Sequence, residues 1–457
     1  MVSEDCLGER EIVSKKRVLY VCHNHPTLHP GGAEAYALEL HRAMHESDNF
    51  EPIFLSRIGS TVATERRPHS GTPFSTVDGD RSQYFFFTET SGFDFFYMTL
   101  RDKDAYTKYF HEFLLAHRPD VIHFQHTQFL GYDLIRQVKN TLPDAAIVYT
   151  LHEMLPICHR DGQMVRTEHR NGELCHEASP RRCHECFPKI SSQAFFMRKR
   201  FIQSHFSLVD LFLAPSHFLL ERYVDWGIPR EKIRFEDYGR RSVEPIAQSE
   251  ENRPRTRVGF FGQISVFKGV KVLMEAMKLL SEESPSEGEH DAHLWLYGAN
   301  LELQAQDFQE RFRSLLQAAE QNVTFVGRYD HADLPRLMAN VDWVVVPSIW
   351  WENSPLVIQE AFLYGRPVIC SDIGGMAEKV TNGVNGLHFR VGDPRSLAQA
   401  LRRATGSPDL WQTLRDGIPE IYKIEHAVTT ISEIYRTLLE SRKSTVVDAG
   451  DEARAIP

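Results

Sequence analysis

The stretch VDWVVVP, residues 341–347, predicts a strand buried on both faces, because its β-branched and apolar residues form one short continuous run. It is followed by WENSPLVIQE, residues 351–360, which predicts a helix. Glu352 is expected in the loop before that helix and Glu360 within it. Both carboxylates would then lie near the carboxyl end of a parallel strand, where open α/β sheets bind their ligands.

The start of this helix is predicted from three consecutive residues. Asn353 and Ser354 are favoured N-cap types, and Pro355 suits the first helical position, where no backbone N–H is needed. The loop is therefore expected to bring a helix amino terminus, with its partial positive charge, to the same edge of the sheet.

Strand signals of the same kind recur along both halves of the chain, separated by segments long enough for helices. They fall at residues 17–22, 120–124, 145–151 and 208–215, and again at 257–261, 293–297, 323–326, 342–346 and 367–370. This alternation predicts an α/β protein with parallel sheets. We expect two Rossmann-like, doubly wound domains that face each other across a cleft, and the cleft is the expected ligand site.

The domain boundaries are predicted from changes in composition. We expect an N-terminal Rossmann-like domain at residues 1–240 with a cysteine-rich insert at 156–188, a linker at 241–256, a C-terminal Rossmann-like domain at 257–420, a C-terminal helix at 421–440, and a mobile tail at 441–457. The acidic stretch 281–290 contains Pro and Gly and is expected to be a loop.

The composition argues against several classes of function. The chain has 457 residues, of which 42% are hydrophobic and 25% charged, and these are ordinary globular values. Its net charge of −10 argues against nucleic-acid binding. Residues 1–16 lack the pattern of a signal peptide, and no run approaches the length of a membrane span. We therefore expect a cytoplasmic protein with reduced thiols.

Four of the seven cysteines lie close together in the sequence. Cys158, Cys175, Cys183 and Cys186 comprise one Cys-Xaa2-Cys pair and two more distant thiols, a set that suits tetrahedral zinc. Histidines at 159, 176 and 184 could substitute as ligands. A structural zinc ion is the first hypothesis, and free thiols or an iron–sulfur cluster are the alternatives.

Glycines precede the first helix of each half, as in phosphate-binding turns. In FFGQISVFKG, residues 260–269, Gly262 closes a strand and Lys268 leads into a helix. Gly31 and Gly32 precede the first helix of the chain. A glycine lets backbone amides approach a phosphate, and the helix amino terminus adds partial positive charge.

The combined pattern VPSIWWENSPLVIQEAFLYGRPVICSDIGGMAEKVTNGVNGLHF, residues 346–389, resembles the retaining glycosyltransferases of family four, which have the GT-B fold. The resemblance begins at HPGGAEAYALEL, residues 29–40. It implies that Glu360 accepts hydrogen bonds from the nucleotide ribose and that Glu352 lies near the donor sugar. It also implies that sugar or phosphate is faced by the backbone of Asn353, Ser354, Pro355 and Leu356.

The resemblance extends to the first domain and to the turn after residue 260. His152 matches a histidine that reaches the donor sugar, and Gly31 and Gly32 match a turn near the donor phosphates or the acceptor. Lys268 matches a cation beside the leaving diphosphate. Gln263 departs from the pattern, because many relatives carry Arg there, so Lys268 and the helix dipoles are expected to do more in this chain.

These matches imply a retaining glycosyltransferase of glycan or polysaccharide biosynthesis, with a UDP- or GDP-linked donor and a carbohydrate or lipid-linked acceptor. His152, Lys268 and Glu352 are its expected catalytic residues, and no catalytic metal is required. A nucleotide-sugar epimerase of the same fold and an inactive, metal-stabilised binding module are the alternatives. The segment FFMRKRFIQ, residues 195–203, could make peripheral contact with anionic lipid at the inner face of the membrane, although a solvent-exposed basic helix face is the favoured interpretation.

Overall fold

The computed structural model describes residues 15–29, 31–59, 72–89, 91–166, 173–243, 253–283 and 292–454. Most of the predicted linker and of the acidic loop at 281–290, together with residues 167–172 of the cysteine-rich insert, lie outside the described residues.

The first domain is built on an eight-stranded sheet in the order β12-β11-β8-β7-β1-β2-β4-β3. All neighbouring strands are parallel except β3 and β4. Two short hairpins, β5–β6 and β9–β10, lie outside this sheet. The strands are β1 (Arg17–Cys22), β2 (Glu51–Ile58), β3 (Phe74–Val77), β4 (Asp80–Phe87), β5 (Phe93–Asp94), β6 (Thr99–Leu100), β7 (Val121–Phe124), β8 (Ala146–Thr150), β9 (Val165–Arg166), β10 (Glu173–Leu174), β11 (Leu211–Ala214) and β12 (Ile233–Phe235).

Helices cover the faces of this sheet. A π-helical turn, Ala105–Phe110, leads directly into α2, and a 3-10 turn, Arg230–Lys232, precedes β12. The helices are α1 (Gly32–Ser47), α2 (His111–His117), α3 (Asp133–Thr141), α4 (Pro180–Cys186), α5 (Ser192–Phe206) and α6 (His217–Trp226).

The second domain has a six-stranded, fully parallel sheet in the order β15-β14-β13-β16-β17-β18. Its strands are β13 (Arg257–Gln263), β14 (His293–Ala299), β15 (Val323–Gly327), β16 (Trp343–Val346), β17 (Val368–Ser371) and β18 (Gly386–Phe389). Its helices are α7 (Val270–Glu283), α8 (Gln306–Ala318), α9 (Leu334–Ala339), α10 (Leu356–Leu363), α11 (Gly374–Lys379), α12 (Pro394–Thr405) and α13 (Pro408–Asp416), followed by α14 (Ile424–Arg454), with 3-10 turns at Leu301–Leu303 and His331–Asp333.

Strand order reverses once in each sheet, and these reversals define the crevices. In the first sheet the chain moves outward from β1 to β2 and later resumes on the other side of β1 with β7. In the second sheet the reversal lies between β13 and β16. Ligands of doubly wound sheets bind beyond the carboxyl ends of the strands at such points. The two-domain, doubly wound architecture predicted from the sequence is confirmed.

The last helix returns to the first domain. Apolar residues at helical spacing on α14, including Ile424, Ile431 and Tyr435, share a core cluster with Tyr20 and Met44. The prediction that this helix ends at residue 440 is wrong, because α14 extends to Arg454. No proline lies between 420 and 456, and Arg442 anchors the later turns by donating to Asp210 at 2.6 and 2.7 Å.

No helix in the described part of the chain is long and apolar enough to cross a membrane.

Candidate active site

Glu352 and Lys268 form an ion pair at the switch point of the second sheet. Lys268 lies between β13 and α7, and Glu352 lies in the loop after β16. Lys268 Nζ donates to Glu352 Oε1 at 2.7 Å. Ser348 Oγ and Trp350 Nε1 donate to the same oxygen at 2.7 and 2.8 Å. The two residues predicted to address sugar and diphosphate are thus in direct contact.

The charge of Glu352 is maintained despite its burial. Burial alone would raise the pKa of the carboxyl, but the charge of Lys268 and the hydrogen bonds from Lys268, Ser348 and Trp350 outweigh it, so that the pKa is lowered. Glu352 is therefore a carboxylate at neutral pH, while the side chain of Lys268 keeps 29% of its surface exposed.

Gly269 allows this loop to close on the sheet. Its φ of +69° is in the left-handed region, and a Cβ there would lie 1.7 Å from the carbonyl oxygen of Pro347. Any other residue would push Lys268 away from the strand end that carries Glu352. Gly262 and Gln263 form the carboxyl end of β13 just upstream, and Gln263 is exposed.

Glu360 lies on α10 and is buried between Arg240 and His331. Arg240 NH2 donates to its Oε1 at 3.1 Å, and His331 Nε2 lies 3.2 Å from the same atom. Arg240 also donates to Glu39 on α1 at 3.2 Å. The hydrogen bond with Glu360 raises the pKa of His331, although that side chain is largely exposed. Glu360 is therefore held by both domains.

The helix after Glu352 begins one residue later than predicted. Pro355 occupies the N-cap, Leu356 is the first helical residue, and no side chain caps the amino terminus. The predicted capping role of Asn353 and Ser354 is wrong, because both side chains bind the first domain instead. Asn353 Oδ1 accepts a hydrogen bond from Ser216 Oγ at 2.7 Å, and Ser354 Oγ donates one to Asp237 Oδ1 at 3.3 Å.

The glycine turn of the first domain approaches the same helix start. Gly31 is the N-cap of α1 and Gly32 is its first residue. A Cβ on Gly32 would lie 3.5 Å from Leu356 Cδ1. The amino termini of α1 and α10 therefore converge, as required if both are to face one anionic ligand.

His152 lies just beyond the carboxyl end of β8 and is fixed on both ring nitrogens. Nδ1 lies 2.6 Å from the hydroxyl of Tyr238, and Nε2 lies 3.0 Å from Gln125 Oε1. Asn353 Nδ2 donates to the His152 carbonyl at 3.3 Å, which joins this wall to the second domain. Burial, followed by the neighbouring His126 and then His123, holds the pKa of His152 well below its usual range. The ring is therefore a neutral hydrogen-bonding group.

A row of four polar side chains beside His152 was not predicted from the sequence; its members are His23, Glu34, His126 and Glu153. His23 Nε2 lies 3.1 Å from Glu34 Oε1, and the rings of His23 and His126 lie face to face but tilted by 35°, with centroids 3.9 Å apart. His126 Nε2 lies 3.8 Å from Glu153 Oε1. Their positions were the available signal: His23 directly follows β1, and His126 lies two positions after the end of β7, at the switch point of the first sheet.

Burial keeps these four side chains largely uncharged. It raises the pKa of Glu34, raises that of Glu153 well above its usual range, and lowers that of His126 to about 4. The pKa of His23 is also lowered well below its usual range, first by burial and then by His126. The first-domain wall of the cleft therefore offers neutral donors and acceptors rather than fixed charge.

The cysteine-rich insert lies against the same wall. Cys183 and Cys186 are one turn apart on α4, Cys175 follows β10, and Cys158 packs with Cys175 on the core of the first domain. Burial, and then the thiols of Cys158 and Cys175, raise the pKa of Cys183 to about 12. Within the described residues, no three His, Cys, Asp or Glu side chains are arranged to hold a metal ion. The zinc hypothesis thus stays a prediction.

Comparison with known proteins gives two family matches. Residues 30–235 match the model described as Glycosyltransferase Family 4, and residues 255–406 match the model described as Glycosyl transferases group 1. A D-inositol 3-phosphate glycosyltransferase of Jonesia denitrificans is 30% identical over 179 residues, which cover 38% of this chain and 42% of that protein. The chain therefore matches less than half of that relative's length.

Solved structures share the architecture over nearly the whole chain. Sucrose-phosphate synthase from Thermosynechococcus elongatus superposes with a TM-score of 0.67 at 18% identity, covering 93% of this chain and 100% of that one. HepE from Anabaena, solved in complex with UDP and glucose, gives 0.61 at 18% identity, covering 92% and 100%. At these identities the likeness establishes the fold, which is GT-B, as the sequence predicted.

Proposed function

The chain belongs to the family four, group 1 glycosyltransferases, and we propose that it is a retaining enzyme that transfers a sugar from a nucleotide sugar to a carbohydrate or lipid-linked acceptor. One observation carries the proposal: the Lys268–Glu352 pair lies at the switch point of the second sheet, and the next residue, Asn353, binds the His152 carbonyl of the first domain. A cation, a buried carboxylate and a neutral imidazole then meet in one cleft. We place the reaction in glycan or polysaccharide biosynthesis.

The donor nucleotide is assigned to Glu360. A ribose presents two adjacent hydroxyls, and one carboxylate can accept a hydrogen bond from each. Within the described part of the chain, Arg240 and His331 both contact Oε1, so Oε2 is available to the ribose. A UDP- or GDP-linked sugar satisfies this site, and the UDP complex of the structural neighbour HepE supports a nucleotide-sugar donor.

The diphosphate is assigned to the helix amino termini and to Lys268. Lys268 immediately precedes Gly269 and α7, so its charge adds to the partial positive charge of that helix. Gly262 and Gln263 line the approach from β13, and the turn at Gly31 and Gly32 approaches α10 from the other side. No acidic residue is needed to hold a metal in this arrangement, and the proposal uses none.

The reaction proceeds on one face of the sugar. The bond between the anomeric carbon and the diphosphate oxygen breaks, and the diphosphate leaves with the electron pair. The acceptor hydroxyl forms the new bond from the same face and gives its proton to the departing phosphate oxygen. Lys268 and backbone amides stabilise the growing charge on that phosphate, while Glu352 holds the sugar and the neutral ring of His152 lines the sugar site from the first domain.

The acceptor is assigned to the neutral wall formed by His23, Glu34, His126 and Glu153. Uncharged imidazoles and carboxyl groups both donate and accept hydrogen bonds, as sugar hydroxyls do. A strongly charged acceptor site would instead present fixed cations or anions. The wall therefore supports an acceptor rich in hydroxyl groups. A lipid-linked glycan and a free glycan both carry such groups.

Two accessory features complete the proposal. From the sequence pattern we propose that Cys158, Cys175, Cys183 and Cys186 bind a structural zinc ion, because four thiols in one polar segment supply a tetrahedral ligand set, although the described side chains are not grouped to hold a metal. We also propose cytoplasmic residence with peripheral contact to the inner face of the membrane through α5. Phe196 and Met197 on that helix are 53% and 55% exposed beside Lys199 and Arg200.

Two experiments test the function and separate it from its rivals. Thermal stabilisation by uridine-, guanosine- and adenosine-linked sugars should identify one preferred donor, because a ligand that binds only the native state raises its stability. Turnover of that donor with acceptor should yield a glycosylated product. An epimerase would release free or isomerised sugar without acceptor, and an inactive module would bind the donor and leave it intact.

A further inference from the structure

Trp351 belongs to the second domain in sequence but lies in the core of the first. It follows β16 by a few residues and directly precedes Glu352. Its side chain is 8% exposed and belongs to the core cluster of the first domain, where its ring stacks on Phe218 with centroids 5.1 Å apart and planes at 25°. A residue of the loop between β16 and α10, which carries Glu352, is therefore inserted into the first domain.

The cysteine-rich insert and α6 form the socket for this ring. Trp351 Nε1 donates to the carbonyl of Cys175 at 3.2 Å. The ring of His176 meets it edge-on at 5.3 Å, and the guanidinium of Arg222 lies 4.9 Å from its centroid. Arg222 also donates to the carbonyl of His176, so the insert and α6 hold each other as well as the indole.

The residues on either side of Trp351 face the donor site. Trp350 Nε1 donates to the Glu352 carboxylate, and Gly375 N donates to the Glu352 carbonyl at 2.8 Å. At Gly375 a Cβ would lie 1.4 Å from the carbonyl oxygen of Asn353, so this backbone is tightly packed. A shift of Trp351 out of its socket would therefore displace Glu352 as well.

We propose that the cysteine-rich insert is an interdomain clamp, which seats Trp351 and thereby positions Glu352 in the closed arrangement of the two domains. Trp351 is a positioning residue and touches no substrate. The start of α6 adds further cross-domain contacts, because Ser216 binds Asn353 and Glu378 accepts from the backbone N–H groups of His217 and Phe218 at 2.8 Å each. The catalytic part of the proposal rests on the proposed function, whereas the effect on domain closure does not.

Variants of Trp351 separate positioning from donor binding. Trp351→Ala should lower kcat by about 10- to 100-fold, the cost of a small misplacement of a catalytic group. The dissociation constant for UDP or GDP, whichever nucleotide binds, should change by less than about threefold, since the nucleotide site lies around Glu360. Trp351→Phe keeps the stacking on Phe218 and the contact with Arg222, so it should recover most of the turnover. Trp295→Phe, a tryptophan change elsewhere in the second domain, is the control and should be neutral.

Two further measurements test the clamp itself. Phe218→Ala combined with Trp351→Ala should be no worse than Trp351→Ala alone, because both changes remove the same contact. Small-angle scattering of the unliganded protein should show a larger radius of gyration for Trp351→Ala, and also for Cys183→Ser/Cys186→Ser, if the insert holds the domains closed.

Normal turnover in Trp351→Ala, additive losses in the double variant, or unchanged radii of gyration would overturn the clamp. If no sugar is transferred by the wild-type protein, the proposed function fails instead, and the scattering comparison still decides whether the insert closes the cleft.

Discussion

Nζ of Lys268 lies 2.7 Å from Oε1 of Glu352, so the ammonium group and the carboxylate are in direct contact. Ser348 and Trp350 bind the same carboxylate oxygen, so Glu352 retains two hydrogen bonds when Lys268 turns toward a phosphate. The lysine is partly exposed and the carboxylate is not. The pair is therefore suited to a reaction in which negative charge appears beside Lys268 as a bond breaks.

Removing the lysine charge should slow the chemical step more than donor binding. We expect Lys268→Ala to lower turnover by about 10²- to 10³-fold, as loss of one preorganised charge-stabilising group commonly does. Donor affinity should fall less, because the charge on the leaving phosphate grows only as the glycosidic bond breaks. Steady-state kinetics and donor calorimetry measure the two effects separately.

The matched control for that variant is Lys271→Ala. Lys271 lies on the first turn of α7, is largely exposed, and pairs with Glu275 at 3.8 Å rather than with the site. Its turnover should equal that of the wild type. Near-normal turnover in Lys268→Ala would show that the helix amides suffice to stabilise the leaving group.

Removing the buried carboxylate of α10 should weaken nucleotide binding. Glu360→Ala deletes the proposed partner of the ribose. The nucleotide binding free energy should weaken by roughly 2–3 kcal/mol, the scale of hydrogen bonds to a charged group. Isothermal calorimetry with the free nucleotide reads out the loss. Unchanged affinity would remove Glu360 from the nucleotide site.

Glu39→Gln is the control for Glu360. Glu39 contacts the same Arg240 from the α1 side, at 3.2 Å, but lies outside the proposed nucleotide site. If the effect of Glu360→Ala came only from releasing Arg240, both variants would lose nucleotide affinity. We expect the loss in Glu360→Ala alone.

Metal content tests the cysteine-rich insert. The purified protein should contain about one zinc ion per chain, the stoichiometry of a single four-thiol site. Replacing Cys183 and Cys186 by Ser should release it, whereas Cys370→Ala, in the core of the second domain, should not. Elemental analysis that finds neither zinc nor iron in the wild-type protein would rule the metal out.

Membrane contact through α5 should depend on both apolar and basic residues. Phe196 and Met197 are exposed, and Phe196, Lys199 and Arg200 line a groove of about 810 Å³ together with Lys232. We expect cosedimentation with phosphatidylglycerol vesicles, weaker binding to phosphatidylcholine vesicles, and loss of binding in Phe196→Ser/Met197→Ser. Leu303→Ser changes a residue that is 74% exposed in the second domain and should bind as the wild type does. If the wild type and Phe196→Ser/Met197→Ser sediment equally with the vesicles, membrane contact through α5 is ruled out.

The buried parallel strands were the most predictable part of the fold. Strands such as β1 and β16 are continuous apolar runs, and their positions follow directly from the sequence. Others were missed. β2 has the sequence EPIFLSRI and carries a proline, a serine and an arginine. Arg57 is buried, and its guanidinium hydrogen-bonds to Thr88 in a neighbouring segment. Such a long-range partner has no local signature.

The second-domain half of the site was predictable, whereas its connections to the first domain were not. Glu352 and Lys268 stand at recognisable strand and helix ends, and Glu360 stands within the predicted helix. The side chains of Asn353 and Ser354 suggest helix caps, yet they bind residues more than a hundred positions away. The pairing of Glu360 with Arg240 likewise depends on how two domains meet. Contacts of this kind are fixed by tertiary packing, which overrides local preference.

The stereochemistry of transfer tests the central claim most directly. The purified protein should be incubated with its preferred α-linked nucleotide sugar and an acceptor, without Mg²⁺ and with a chelator, and the anomeric proton of the product followed by NMR. Our account predicts an α-linked product formed at a rate independent of added Mg²⁺. A β-linked product would contradict retention, and with it the role assigned to the departing phosphate beside Lys268.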